Sequence, residues 1–242
     1  MSEEHVIPRW VSKILAEDRR HSGRPQVQRM VDRQGHLVRE LPPSKLINVV
    51  TRRVCKVCNE GWMERKLERP CQPILGPMIR GWDKTLDQSE QAVLAGWAAK
   101  VAMVMAYIHA PPQPVKREWL DWMYWHQRPP ANWYVWMASY NGQRPTYFSS
   151  DAGAHASLPS GPMVDVYAQA ATLIIGYAAL KILGPTSVVR VEEPGRDAVI
   201  RLWPLTGETT VRWPPPRHID DRRLPLFVDM FLDPGQPPRP LS

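Results

Sequence analysis

Cysteine is scarce in this chain, three in 242 residues. So small and odd a number argues against a disulfide scaffold and fits a reducing, cytoplasmic setting. Phenylalanine is equally rare, three against eleven tryptophans, so Trp carries most of the aromatic bulk. Long uncharged apolar runs are lacking too. The most apolar stretch, AVLAGWAAKVAMVMAYIHA at 92–110, has Lys100 at its middle. A membrane span takes about 20 consecutive apolar residues. Val93, Leu94, Trp97, Val101, Val104, Met105 and Ile108 recur there at helical spacing, so a buried core helix is expected and no membrane crossing. The polar, acidic start gives no expectation of a secretory leader.

Acidic residues fail to balance basic ones only in the first third. Residues 1–80 hold 16 Lys and Arg against 9 Asp and Glu, and residues 81–242 hold 15 of each. The whole net charge of +7 therefore belongs to the first 80 residues. Such a segment concentrates polyanions, of which nucleic acid is the commonest. What the chain has in quantity is proline, 26 residues, which implies short elements joined by stiff turns.

The pattern predicts an α+β protein. A short helix is expected at 9–17, a β-hairpin over 26–40 around DRQG, and a strand at INVVTRRVC. CKVCN reads as a tight turn, EGWMERKLE as a helix that Pro70 and Pro73 end, and 74–81 as another helical turn. Beyond residue 82, helices are expected at 89–109 and 116–127, then mostly strands. Residues 164–183 read either as two strands hinged at Gly176 or as a helix, because alanine and β-branched residues pull opposite ways. In the Trp-rich stretch 119–136, Trp119, Trp122 and Met123 fit a buried helix face better than a base-stacking surface. Three regions are expected: 1–81, a mixed accessory region at 82–232, and a disordered tail at 233–242.

Four pieces of the first region suit one chemistry. Hydrolysis of a phosphodiester needs a base for water, a divalent cation for the developing charge, and a group that fixes the base's tautomer. His5 is the candidate base and Asn48 the candidate orienting residue. Glu4 and Asn59 offer oxygen ligands of the kind Mg2+ or Mn2+ takes. Arg52, Arg53, Lys56 and Arg65 are placed to hold a nucleic-acid backbone. Cys55 and Cys58 form a C-x-x-C, a metal or redox pair in general; the redox reading lacks a surrounding βαβ pattern.

EEHVIPRW, followed by VCKVCNEGWMERKLE, resembles the HNH endonucleases, which carry a ββα-metal fold. The resemblance covers residues 3–69. It implies His5 as general base, Glu4 and Asn59 as ligands of the catalytic cation, and Asn48 as the orienting residue. It further implies a structural Zn2+ on two C-x-x-C pairs, of which Cys55 and Cys58 are one. The other would lie upstream of the Glu-His pair, where this sequence has only Met1, Ser2 and Glu3. The expected function is metal-dependent cleavage of DNA, most simply double-stranded. The alternative is a catalytically degenerate HNH-like module that binds DNA or protein. Residues 82–232 are the expected surface for a protein partner or self-association.

Overall fold

Strands buried on both faces lose the apolar–polar alternation that marks a half-exposed sheet, and the central sheet is made of such strands. The computed structural model describes residues 2–18, 20, 26–31, 37–44, 50–108, 115–143, 146–157, 163–184 and 197–229. Within them lie strands β1 (Ser2–His5), β2 (Gln26–Val31), β3 (Leu37–Ser44), β4 (Val50–Val54), β5 (Lys84–Asp87), β6 (Tyr134–Tyr140), β7 (Thr146–Ser157), β8 (Met163–Ile175), β9 (Ala178–Gly184), β10 (Val199–Trp203), β11 (Thr210–Trp213) and β12 (His218–Ile219). The helices are α1 (Arg9–Ala16), α2 (Lys56–Cys58), α3 (Arg69–Ile79), α4 (Gln88–Ala106), α5 (Arg117–His126) and α6 (Leu224–Asp229). The architecture is α+β.

The large sheet runs in the order β10-β6-β9-β8-β7, with β12 added parallel to β6. Val135, Met137, Leu173, Leu180 and Ile182 turn one face toward α4. Trp136, Ala138, Ile174, Ala179 and Leu183 turn the other toward Ile219, Leu224 and Phe227. The period of two is intact, but both phases are apolar. That is why 164–183 reads ambiguously in sequence; it forms two strands, with Gly176 at φ +60° in the turn. This hairpin tip docks on the end of α3, where the Tyr177 N–H donates to the Ile79 carbonyl at 3.0 Å.

The hairpin expected over 26–40 forms as β2 and β3, antiparallel, with Gln26 opposite Ser44. The expected stop at Pro70 and Pro73 does not occur. After α2 the chain continues through a wide-turned helical segment, Asn59–Glu68, broken at Gly61 (φ −87°, ψ −109°) and leading straight into α3. Pro70 falls in the first turn of α3, where its missing N–H is not needed. Pro73 and Pro77 do interrupt the backbone ladder. Burial of Cys71, Ile74, Leu75, Met78 and Ile79 along the same segment offsets that loss.

α4 starts from a reciprocal cap: the Asp87 carboxylate accepts from the Glu90 N–H at 2.8 Å, and the Glu90 carboxylate accepts from the Asp87 N–H at 3.2 Å. Val6, Val11, Leu67 and Leu75 share one continuous core with Trp97, Val101, Leu173 and Leu180, so packing runs unbroken across residue 81. Trp119 and Met123 of α5 are buried as expected, whereas Trp122 is 37% exposed. No helix among the described residues is long and apolar enough to cross a membrane. Residues 187–193, within the region expected to be mostly strands, and the tail expected at 233–242 lie outside the described residues.

Candidate functional site at the strand–helix junction

The segment VIP after His5 decides where the imidazole sits. Val6 and Ile7 are 3% and 1% exposed. Pro8 opens α1, whose Val11, Ile14 and Leu15 are buried. Those anchors hold β1 against β4 in antiparallel register, with Ser2 opposite Val54, Glu4 opposite Thr51 and His5 opposite Val50. His5 is half-buried. Its Nε2 accepts a hydrogen bond from the Arg9 guanidinium Nε at 3.3 Å. A guanidinium only donates, so Nε2 presents a lone pair there, and a neutral ring would carry its proton on Nδ1. Sequence reasoning missed Arg9. It follows His5 by four residues, and only the turn at Val6 and Ile7 brings it back over the ring.

β4 leads directly into the helical run through Cys55. Its sulfur caps the run by accepting from the Cys58 N–H at 3.2 Å, while the Asn59 N–H donates to the Cys55 carbonyl at 2.9 Å. The two thiols interact. The hydrogen bond from Cys58 holds the Cys55 thiol below the usual range. Cys58, which keeps the shared proton and is also partly buried, is pushed up. Asn59 is half-buried at the first position after Cys58. Arg52, Arg53, Lys56 and Arg65 are all exposed. The backbone of Glu4 is fixed in β1, but its side chain, like all of Asn48, lies outside the described residues.

The register of β1 and β4 therefore sets His5 at the Val50 end and Cys55 just past the Ser2 end, with Asn59 one helical turn beyond. Oxygen donors at Glu4 and Asn59 are the kind a hard divalent cation takes. For zinc, Cys55 and Cys58 supply two thiols. Among the described residues no set of three or more His, Cys, Asp or Glu side chains could hold a metal ion.

Beside the thiols opens a cavity of about 330 Å³, which the sequence did not announce. Trp62, Met63, Met103 and Val104 line its floor, and Arg53, Cys55, Cys58 and Tyr124 its sides. Tyr107 also lines it; burial raises its phenol, with the Arg53 charge acting against that rise. Lys100, 1% exposed, reaches it with its ammonium bonded to Glu68 at 2.6 Å. A lysine at the centre of an apolar helix was the legible signal, because a buried ammonium requires an anion.

No family model, curated protein or solved structure matches this chain.

Proposed function

We propose that the chain is a metal-dependent endonuclease of the HNH type, hydrolysing DNA phosphodiester bonds with His5 as general base. The observation that supports this reading is the antiparallel pairing of β1 with β4 and the passage of β4, without a linker, into the helical run bearing Asn59; the same register leaves His5 at the Val50 end, the opposite end of the pair from that run. The ββα-metal unit, and the meeting of Glu4, His5, Asn48 and Asn59 around one cation, are part of this proposal.

In this reading DNA is held electrostatically by Arg52, Arg53, Lys56 and Arg65, whose exposed cations contact phosphates without reading bases. Glu4 and Asn59 would hold Mg2+ or Mn2+, and Asn48 would help orient the ring. The cation, when bound, offsets charge on the phosphoryl and leaving oxygens. His5 takes the proton of the attacking water through Nε2, the nitrogen that Arg9 covers. A phosphate entering the site attracts the Arg9 guanidinium and draws it off the ring, which uncovers the base as substrate arrives. The protein works in the cytoplasm.

The Arg9–His5 bond also favours a second reading, a degenerate module that retains DNA or a protein partner without cutting. One experiment separates the two. Supercoiled plasmid is incubated with the protein and Mg2+, Mn2+ or chelator, and DNA retention is measured in parallel. The nuclease reading expects nicking with metal only, and a fall of about 10²–10⁴-fold in His5→Ala with retention unchanged. Retention without nicking in the parent protein leaves the degenerate module; equal cutting by His5→Ala removes His5 as the base.

A further inference from the structure

We propose that the cavity beside β4 binds a small aromatic carboxylate, its ring among the methionines and its carboxylate between the Arg53 guanidinium and the Trp62 indole N–H. Small-molecule sites are mostly apolar, hold a few converging polar groups and run from about 300 to 1,000 Å³. This cavity, about 330 Å³, lies at the small end of that range. Met63, Met103 and Met123 line it with thioethers, which adapt their shape and make favourable contacts with ring edges. Trp62 and Tyr124, already edge-on at 6.1 Å, offer a third ring an aromatic wall.

Two polar groups on the cavity wall lack what a carboxylate would supply. Trp62 is 8% exposed, and its indole N–H is buried with no acceptor at hydrogen-bond distance. It faces the Cys58 sulfur, a weak acceptor on the same wall. Of the buried indoles that lack an acceptor, Trp62 alone lines this cavity. A donor left so costs free energy that a ligand oxygen would recover. The charges point the same way. The Lys100 ammonium is held by Glu68 at 2.6 Å, and Arg117 pairs with Asp121 at 3.5 Å. Arg53 enters no ion pair among the described residues. Its charge reaches into the cavity, where it acts on the Tyr107 phenol. The wall therefore carries one positive charge that nothing offsets, which selects a monoanion over a neutral or cationic ring compound.

The proposal uses no step of the nuclease reading. Arg53, which both invoke, is tested here without DNA or metal, so either can fail alone. Naphthoate is titrated into the reduced full chain by calorimetry, beside naphthamide, which has the same rings and no charge. The Trp62 indole N–H is followed by proton–nitrogen NMR, its peak assigned with Trp62→Phe. Expected are one naphthoate per chain with Kd below about 1 mM, at least tenfold weaker binding of the amide, and a downfield shift of the Trp62 N–H. Arg53→Gln changes an exposed side chain, so the fold stays, and should weaken naphthoate at least tenfold while leaving the amide as it was. Leu120→Trp, from a half-buried position on α5, fills the cavity and should abolish binding of both. No naphthoate binding by the parent protein, an amide that binds as tightly as naphthoate, a Trp62 N–H that does not move, or unchanged naphthoate binding in Arg53→Gln or Leu120→Trp overturns the proposal.

Discussion

The interior around α4 and the junction at Cys55 treat polar groups in opposite ways. In the interior the buried ammonium groups and the Gln169 amide donor reach specific acceptors, whereas the indole N–H groups of Trp97 and Trp133 are buried without one. Lys100 bonds Glu68 at 2.6 Å, the Gln169 amide donates to the Ala102 carbonyl at 2.7 Å, and Lys181 donates to the Thr172 hydroxyl at 3.2 Å. At the junction the cations face water, the Cys55 sulfur accepts from the Cys58 backbone N–H, and an apolar side chain projects into solvent. Partners inside are fixed because an unmatched buried group costs kilocalories. At the junction no such penalty locks the groups, so they remain able to take a phosphate or a metal. The interior carries stability, and the junction holds the residues that the proposed chemistry would use.

The sharpest way to break that contrast is to strip one partner from the interior. Lys100→Met keeps volume and removes the ammonium, leaving the Glu68 carboxylate without its cation. Breaking a buried pair from one side costs about 3–5 kcal/mol. Glu68 is 16% exposed, which points to the lower end of that range. The double variant Lys100→Met/Glu68→Met removes both charges and should recover most of the loss. Urea denaturation of the three proteins checks this. A loss under about 1 kcal/mol in the single variant would mean that water reaches the pair, and the interior would then differ little from the junction.

A smaller effect compares two glycines. A methyl group at Gly176 would come within 2.3 Å of the Ile79 carbonyl, on a backbone already at φ +60°. Gly176→Ala should cost about 2–3 kcal/mol, from left-handed strain and overpacking together. A methyl group at Gly61, in the helical break beside the junction, meets nothing within 4 Å. Gly61→Ala should stay within about 0.5 kcal/mol of the parent protein. Thermal melts read both, and equal shifts would show that the junction is packed as tightly as the hairpin tip.

What the sequence disclosed follows the same division. α1, α4 and α5 were legible from helical spacing, and the β2–β3 hairpin from its turn residues. β5 and β12 were not, because four- and two-residue strands carry too few side chains for a period. The helical turn expected at 74–81 lies largely within α3, but the stop expected at Pro70 and Pro73 does not occur, because proline propensity is a local quantity whereas Leu75 and Met78 are buried by distant neighbours. At the junction the sequence supplies the candidate residues His5, Cys55, Cys58 and Asn59 but not the register that sets His5 at the Val50 end of the strand pair. The Arg9 contact was not legible either, since it depends on how tightly Val6 and Ile7 turn the chain. The cavity was hidden for a similar reason: its walls come from β4, α4 and α5, which only tertiary packing brings together.

The smallest effect concerns the thiols themselves. Cys55 lies low because Cys58 donates to it, and Cys58 lies high because it keeps that proton. Cys71, fully buried beside Glu68, is pushed far higher by desolvation first and by that carboxylate second, with Lys100 acting against them. Alkylation by iodoacetamide across pH, read by mass spectrometry of the peptides, should therefore modify Cys55 first, then Cys58, and Cys71 only in denaturant. Folding stability is the poorer readout. The lowered Cys55 adds stability above the unfolded thiol pKa and loses it as pH falls through its folded value, whereas the raised Cys58 favours folding below the unfolded pKa and loses that as pH rises through its own. The two contributions oppose each other, so little net dependence survives. Cys58→Ala removes the donor and should move the Cys55 midpoint upward, though not fully to the free-thiol value, because neighbouring backbone N–H groups still favour the thiolate. An unchanged midpoint would mean that backbone amides alone set Cys55, and that the two sulfurs at this junction act separately.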